Sequence, residues 1–74
     1  MKIKKNRIYR LVIGDSDVVV HTVKAVTKDM TIWDCKILIS TNTMYLKQGE
    51  IGQFDIGWFA EELGTKDDYA EYFI

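Results

Sequence analysis

A few residues in this 74-residue chain carry groups able to do chemistry, and each can be weighed by its spacing. Asp15-Ser16-Asp17 offers oxygen ligands in the manner of a calcium loop. Such a loop needs a bidentate Glu at its twelfth position, where this chain has Val26. The same residues make a good turn, because Asp and Ser bond their own backbone. His21 is the only histidine. A general base needs a nucleophile or an orienting acid within reach, and the expected neighbours on its strand face are Val19, Val23 and Ala25. It therefore reads as a packed or rim histidine. Cys35 lies between Trp33 and Ile37 on an apolar face, a setting that makes a thiol inert. Glu61-Glu62 and Asp67-Asp68 are paired acids, but glycosidase-type chemistry needs two carboxylates facing across a cleft about 5–9 Å apart. Adjacent acids near helix starts are solvated or complement the helix dipole. With one Cys and one His, the chain can form neither an internal disulfide nor a four-ligand Cys/His zinc site. The expectation is a non-enzyme with no catalytic residue, cofactor or metal.

Two further groupings suit binding better than catalysis. Lys2, Lys4, Lys5, Arg7 and Arg10 make a basic N-terminus able to contact phosphates. The sequence pI of about 5.7 is far below that of a nucleic-acid domain. At the other end, Trp58, Phe59, Tyr69, Tyr72 and Phe73 are five of the nine aromatics, interleaved with Glu61, Glu62, Asp67 and Asp68. Aromatics of this kind dominate interface hot spots. They serve equally well to dock the segment on the rest of the fold. The net charge of −1 hides an asymmetry: residues 1–37 hold eight bases and four acids, residues 38–74 two bases and seven acids. Either the two halves attract each other in the fold, or one meets a charged partner.

The elements that must position these groups are mainly β. Strands are expected at 7–13, 18–27, 31–40, 43–46 and 51–56, from β-branched and aromatic runs between turn residues. In the third, Trp33, Cys35, Ile37 and Ile39 alternate with Ile32, Asp34, Lys36 and Leu38, so the first set should face the core. Gly52 suggests a bulge or bend. The spacing at 58–63, ending at Gly64, predicts a short helix. A second is expected at 66–74, where Tyr69, Tyr72 and Phe73 form one stripe. The length allows one domain, 1–74, with a barrel over about 7–56 and a helical, aromatic-acidic segment over about 57–74. No apolar run approaches the ~20 residues that span a bilayer, and no signal-peptide stretch follows the charged start. A cytoplasmic location is expected (the host cytoplasm if the protein is viral).

The strand-turn-strand around Gly14-Asp15-Ser16-Asp17, the middle strand 31–40, and Ile51-Gly52-Gln53-Phe54-Asp55 running into a helical turn resemble the SH3-like or Tudor-like small barrels. The resemblance implies a five-stranded antiparallel SH3-like barrel with a short C-terminal helical segment. The ALYDY-like segment and Trp-Trp pair of peptide-binding SH3 domains are absent, and no methyl-lysine cage can be assigned, so those ligand classes do not transfer. A lysine-rich start and an acidic-aromatic end on a small chain also resemble bacteriophage accessory proteins, many of which inhibit a host or defence protein. The leading expectation is a non-catalytic protein-binding module of that kind. Its contacts would be Trp58, Phe59, Glu61, Glu62, Asp67, Asp68, Tyr69, Tyr72 and Phe73. The alternatives are a nucleic-acid-binding barrel led by the basic N-terminus and a structural homo-oligomer, for instance a homodimer paired through an open sheet edge.

Overall fold

The computed structural model describes residues 1–73. It is mainly β. Strands β1 (Arg7–Ile13), β2 (Ser16–Ala25), β3 (Ile32–Ser40), β4 (Ile51–Asp55) and β5 (Phe59–Thr65) form one sheet. All neighbours are antiparallel, in the order β4-β3-β2-β1-β5. A short 3-10 helix follows β4 (Ile56–Trp58), and a 3-10 segment kinked at Tyr69 (φ −130°, ψ 34°) follows β5 (Lys66–Phe73). The last residue of the expected 66–74 helix, Ile74, lies outside the described residues.

The turns follow from their residues. Gly14-Asp15 closes a two-residue hairpin, with Gly14 at φ 60° in the position where such turns need positive φ. The loop after β2 has no Asn-Gly but is held by side chains instead. The Asp29 carboxylate accepts from the Thr27 and Thr31 hydroxyls, each at 2.8 Å, and from the Thr31 N–H at 3.2 Å. These bonds hold Asp29 below its usual carboxylate range.

One face of the sheet closes over Ile3, Tyr9, Leu11, Val18, Val20, Trp33, Cys35, Ile37, Phe54 and Phe59. Tyr9 and Phe59 meet edge to face at 5.2 Å. The polar groups in this core are partnered. Buried Thr22 accepts from the Arg7 N–H at 3.0 Å and donates to the Lys4 carbonyl at 2.6 Å. The Tyr9 hydroxyl accepts from the Lys4 N–H at 2.8 Å. Burial pushes the Tyr9 phenol up. These bonds, with Ile3 in the core, tie the basic N-terminus to the sheet.

Four expectations are corrected. Residues 58–63 are not helical: Phe59–Thr65 is the fifth strand. Its register against β1 slips twice, leaving Ala60 and Leu63 as extra residues. Two bulges in seven residues destroy the alternation of a strand and leave a spacing that resembles a helix. Residues 43–46 are a turn, not a strand. The Asn42 side chain accepts from the Met44 and Tyr45 N–H groups at 3.3 and 3.1 Å, drawing the backbone away from a ladder. In β3, Trp33, Cys35 and Ile37 are buried as expected, but Ile39 is 40% exposed and Leu38 is buried. The cause is a register shift opposite Val19 and Val20, which leaves Leu38 unpaired and resets the alternation. A similar shift at Val23 turns Ala25 onto the core, so Ala25 does not share His21's face.

Candidate functional site

The face opposite the core carries one continuous cross-strand row: Ile51, Lys36, His21, Ile8 and Gly64. Cross-strand partners share a face and lie within side-chain contact. The C-terminal 3-10 helix lies over this row. Phe73 meets the His21 ring edge to face, with centroids 4.9 Å apart and planes at 79°. The ammonium groups of Lys36 and Lys66 sit 5.3 and 4.7 Å from the Phe73 ring centroid, in cation–π range. Asp68 anchors the helix start, accepting from the Thr65 N–H at 2.8 Å. A Cβ on Gly64, whose φ is +148°, would run into that Asp68 carboxylate. The strand can turn into this helix only through glycine.

Beside the helix is a shallow cleft of about 260 Å³ lined by Leu38, Ile39, Ser40, Thr43, Gln48 and Tyr72. Its lining joins β3, the 41–50 loop and the C-terminal helix. A second cavity of about 230 Å³ lies among Met1, Lys2, Ile3, Asp29, Met30 and Ile56. Both fall below the ~300 Å³ at which small-molecule sites begin.

The residues expected to contact a partner divide into four groups. Phe59 is a core residue, packed on Tyr9. Phe73 is half-buried against His21. Glu61, Glu62 and Asp68 are exposed but engaged within the chain. Glu61 holds Arg10 at 2.8 Å, and Glu62 lies 3.7 Å from Arg7 and accepts from the Tyr9 hydroxyl. Trp58, Asp67, Tyr69 and Tyr72 keep outward surface. Trp58 is 41% exposed and touches Phe54 edge-on. Tyr69 and Tyr72 lie 6.3 Å apart.

The basic set is reduced in the same way. Arg10 is gripped by two carboxylates, Glu61 and Asp17, each at 2.8 Å, and both bonds raise its pKa further. With Arg7 facing Glu62, only Lys2, Lys4 and Lys5 of that set have no ion pair among the described residues. The charge asymmetry of the sequence is thus partly an internal match between β1 and β5.

The lone reactive types are both buried. Burial pushes the Cys35 thiol up to about 12, and its only polar contact is the Trp33 carbonyl at 3.8 Å. Burial first, then Lys66 and Lys36, pushes His21 below its ordinary 6.5. No cluster of metal-ligating residues occurs among the described residues. Sequence reasoning missed three of the four most exposed large apolar groups among the described residues: Tyr45 at 79%, Met44 at 70% and Ile51 at 62%. Asn42 was the signal for the first two, since an Asn cap turns the following residues out of a ladder. No family model, curated protein or solved structure matches this chain.

Proposed function

We propose that the chain is a small SH3-like barrel acting as a non-catalytic protein-binding module, of the kind bacteriophages direct at a host or defence protein. The barrel reading is supported by a meander β1–β4 whose fifth strand returns to pair with β1, and by the helical turn joining β4 to β5. The observation that carries the binding reading is the exposure of large apolar and aromatic side chains on a surface without a sizeable pocket. Tyr45, Met44, Ile51 and Trp58 are all exposed, and large apolar and aromatic side chains of this kind are the groups that anchor protein interfaces. Within the C-terminal segment, Trp58, Asp67, Tyr69 and Tyr72 supply the contact surface, and the acid suits a basic target.

The test is affinity capture from a host lysate, using the wild-type chain and a Trp58→Ala, Tyr69→Ala double variant shown to fold. A specific protein retained by the wild type and lost by the variant supports the reading. Equal retention by both removes these residues from the site. The nucleic-acid alternative is weakened by the pairing of Arg7 and Arg10. It predicts binding that falls by about one log unit per log unit of salt for each phosphate contacted. Self-assembly would use the unpaired outer side of β4, and mass in solution against concentration tests it.

A further inference from the structure

His21 is the one buried polar side chain for which the fold provides no partner among the described residues. It is 9% exposed, and its Nε2 is buried without a hydrogen bond. Such atoms are rare, and each calls for a reason. What covers His21 is not the core but the C-terminal helix, through Phe73. That helix has no buried residue of its own. A polar 3-10 helix this short gains little stability by itself. Its hold on the sheet includes the Phe73 contact, the Thr65–Asp68 anchor and the half-buried Tyr69 and Tyr72.

We propose that His21 and Phe73 form a pH-sensitive latch: the C-terminal 3-10 helix stays docked on the outer face while His21 is neutral, and it lifts away when the imidazole takes a proton. The charges around the ring favour this. From β3 the paired residue is Lys36, and from the helix comes Lys66; both repel an imidazolium. From β1 the paired residue is the uncharged Ile8. Arg10, next on that face of β1, is cationic and held by Glu61 and Asp17. The helix acids Asp67, Asp68 and Glu71 are exposed, and none hydrogen-bonds the ring. Protonation thus places a third cation beside two lysines, with a buried N–H that has nothing to receive it. With the helix lifted, water solvates the ring and the lysines move apart.

The sign follows from linkage. The docked state holds His21 below 6.5, and the lifted state returns it to about that ordinary value. Docking is therefore favoured fully above 6.5, and the advantage is lost as pH falls from there toward the lowered value. Across that window the lifted fraction rises by up to about tenfold per pH unit, the limit for one proton. Lifting carries Tyr72 away from the cleft that it lines with Leu38. The latch concerns the contact of helix with sheet and holds whatever the segment binds.

The experiment follows the ring protons of His21 and Phe73 by NMR in the full chain, between about pH 7.5 and about pH 5, the range in which histidine titrates. The expected result is loss of the ring-to-ring contact and of the mutual ring-current shifts, in step with a single titration below the ordinary value. In Phe73→Ala the His21 titration should move back up toward that value. In His21→Phe the aromatic contact should persist across the whole range. A Phe73 signal that stays fixed while His21 titrates overturns the latch. So does a His21 midpoint unchanged by Phe73→Ala, which keeps the test decisive if His21→Phe does not fold.

Discussion

The two faces of the sheet are built on opposite rules. The core face packs nine apolar side chains around Tyr9 and satisfies its polar atoms, with Thr22 and the Tyr9 hydroxyl bonding the N-terminal backbone. The outer face sets an unpartnered histidine and two lysines under one phenylalanine. The first arrangement loses stability if any piece is removed. The second also buries Ile8 and Leu38, but it gathers its cationic and titratable groups around one ring, and under the proposed latch it opens without unfolding the rest. On that proposal, stability and adjustability are separated across a single layer of strands.

The sharpest way to break the comparison is to cut the core face. Leu11 is fully buried between Val18 and Phe59, its register partners on either side. Leu11→Ala should cost about 2–5 kcal/mol through lost burial and the cavity left behind. Net stability is only about 0.05–0.15 kcal/mol per residue in typical domains. For a chain of 74 residues that loss is a large share of the total, and urea denaturation should show a markedly lower midpoint for the variant. A loss comparable to that of an exposed residue would mean that the core face is not what holds the sheet.

Gly64→Ala strikes the junction between the faces. The new Cβ meets the Asp68 carboxylate, and φ of +148° is strained for any L side chain. The expected cost is about 1–2 kcal/mol, within the ordinary range for a glycine replaced at positive φ. The damage should be local. Amide spectra should move for Thr65 to Phe73 and the outer row, while β2 and β3 keep their shifts. Uniform shifts through the core would show that the C-terminal helix and the sheet are one cooperative unit.

How much of this was legible depends on where alternation survives. Trp33, Cys35 and Ile37 declared the core because β3 is regular over that stretch. Ile39 and Leu38 exchanged roles because one unpaired residue resets the phase, and nothing in Ile-Leu-Ile marks which residue will be the extra one. The same limit hid β5: Phe59-Ala60-Glu61-Glu62-Leu63 has helix-like spacing only because Ala60 and Leu63 are bulged. The turn at Asn42 was readable from its side-chain chemistry, whereas the Arg10–Glu61 and Arg7–Glu62 pairs were not. They join residues about fifty positions apart and depend on β5 returning to β1. The docking of Phe73 on His21 was likewise out of reach, because a stripe of aromatics does not say what it rests on.

The smallest effect belongs to the exposed pairs that bind the two charge-biased halves. Arg10 bridges Glu61 and Asp17, and all three side chains are well exposed. Water and salt screen such contacts, and ordering long side chains offsets what attraction remains. Glu61→Gln should therefore shift the denaturation midpoint less than either change above. The shift should vanish at about 1 M salt, where the screening length is about 3 Å. The pair earns its place in register instead: an acid at 61 facing Arg10 is satisfied only if Ala60 is the extra residue. With Phe59 still opposite Leu11 and no extra residue, Ala60 would face Arg10 and Glu61 would face Tyr9, breaking the Arg10–Glu61 pair and the Tyr9–Glu62 bond. If Glu61→Gln leaves stability intact but doubles the β5 amide signals, the charge selects the bulged register. If both stability and the single set of signals persist, apolar packing of Phe59 alone fixes it.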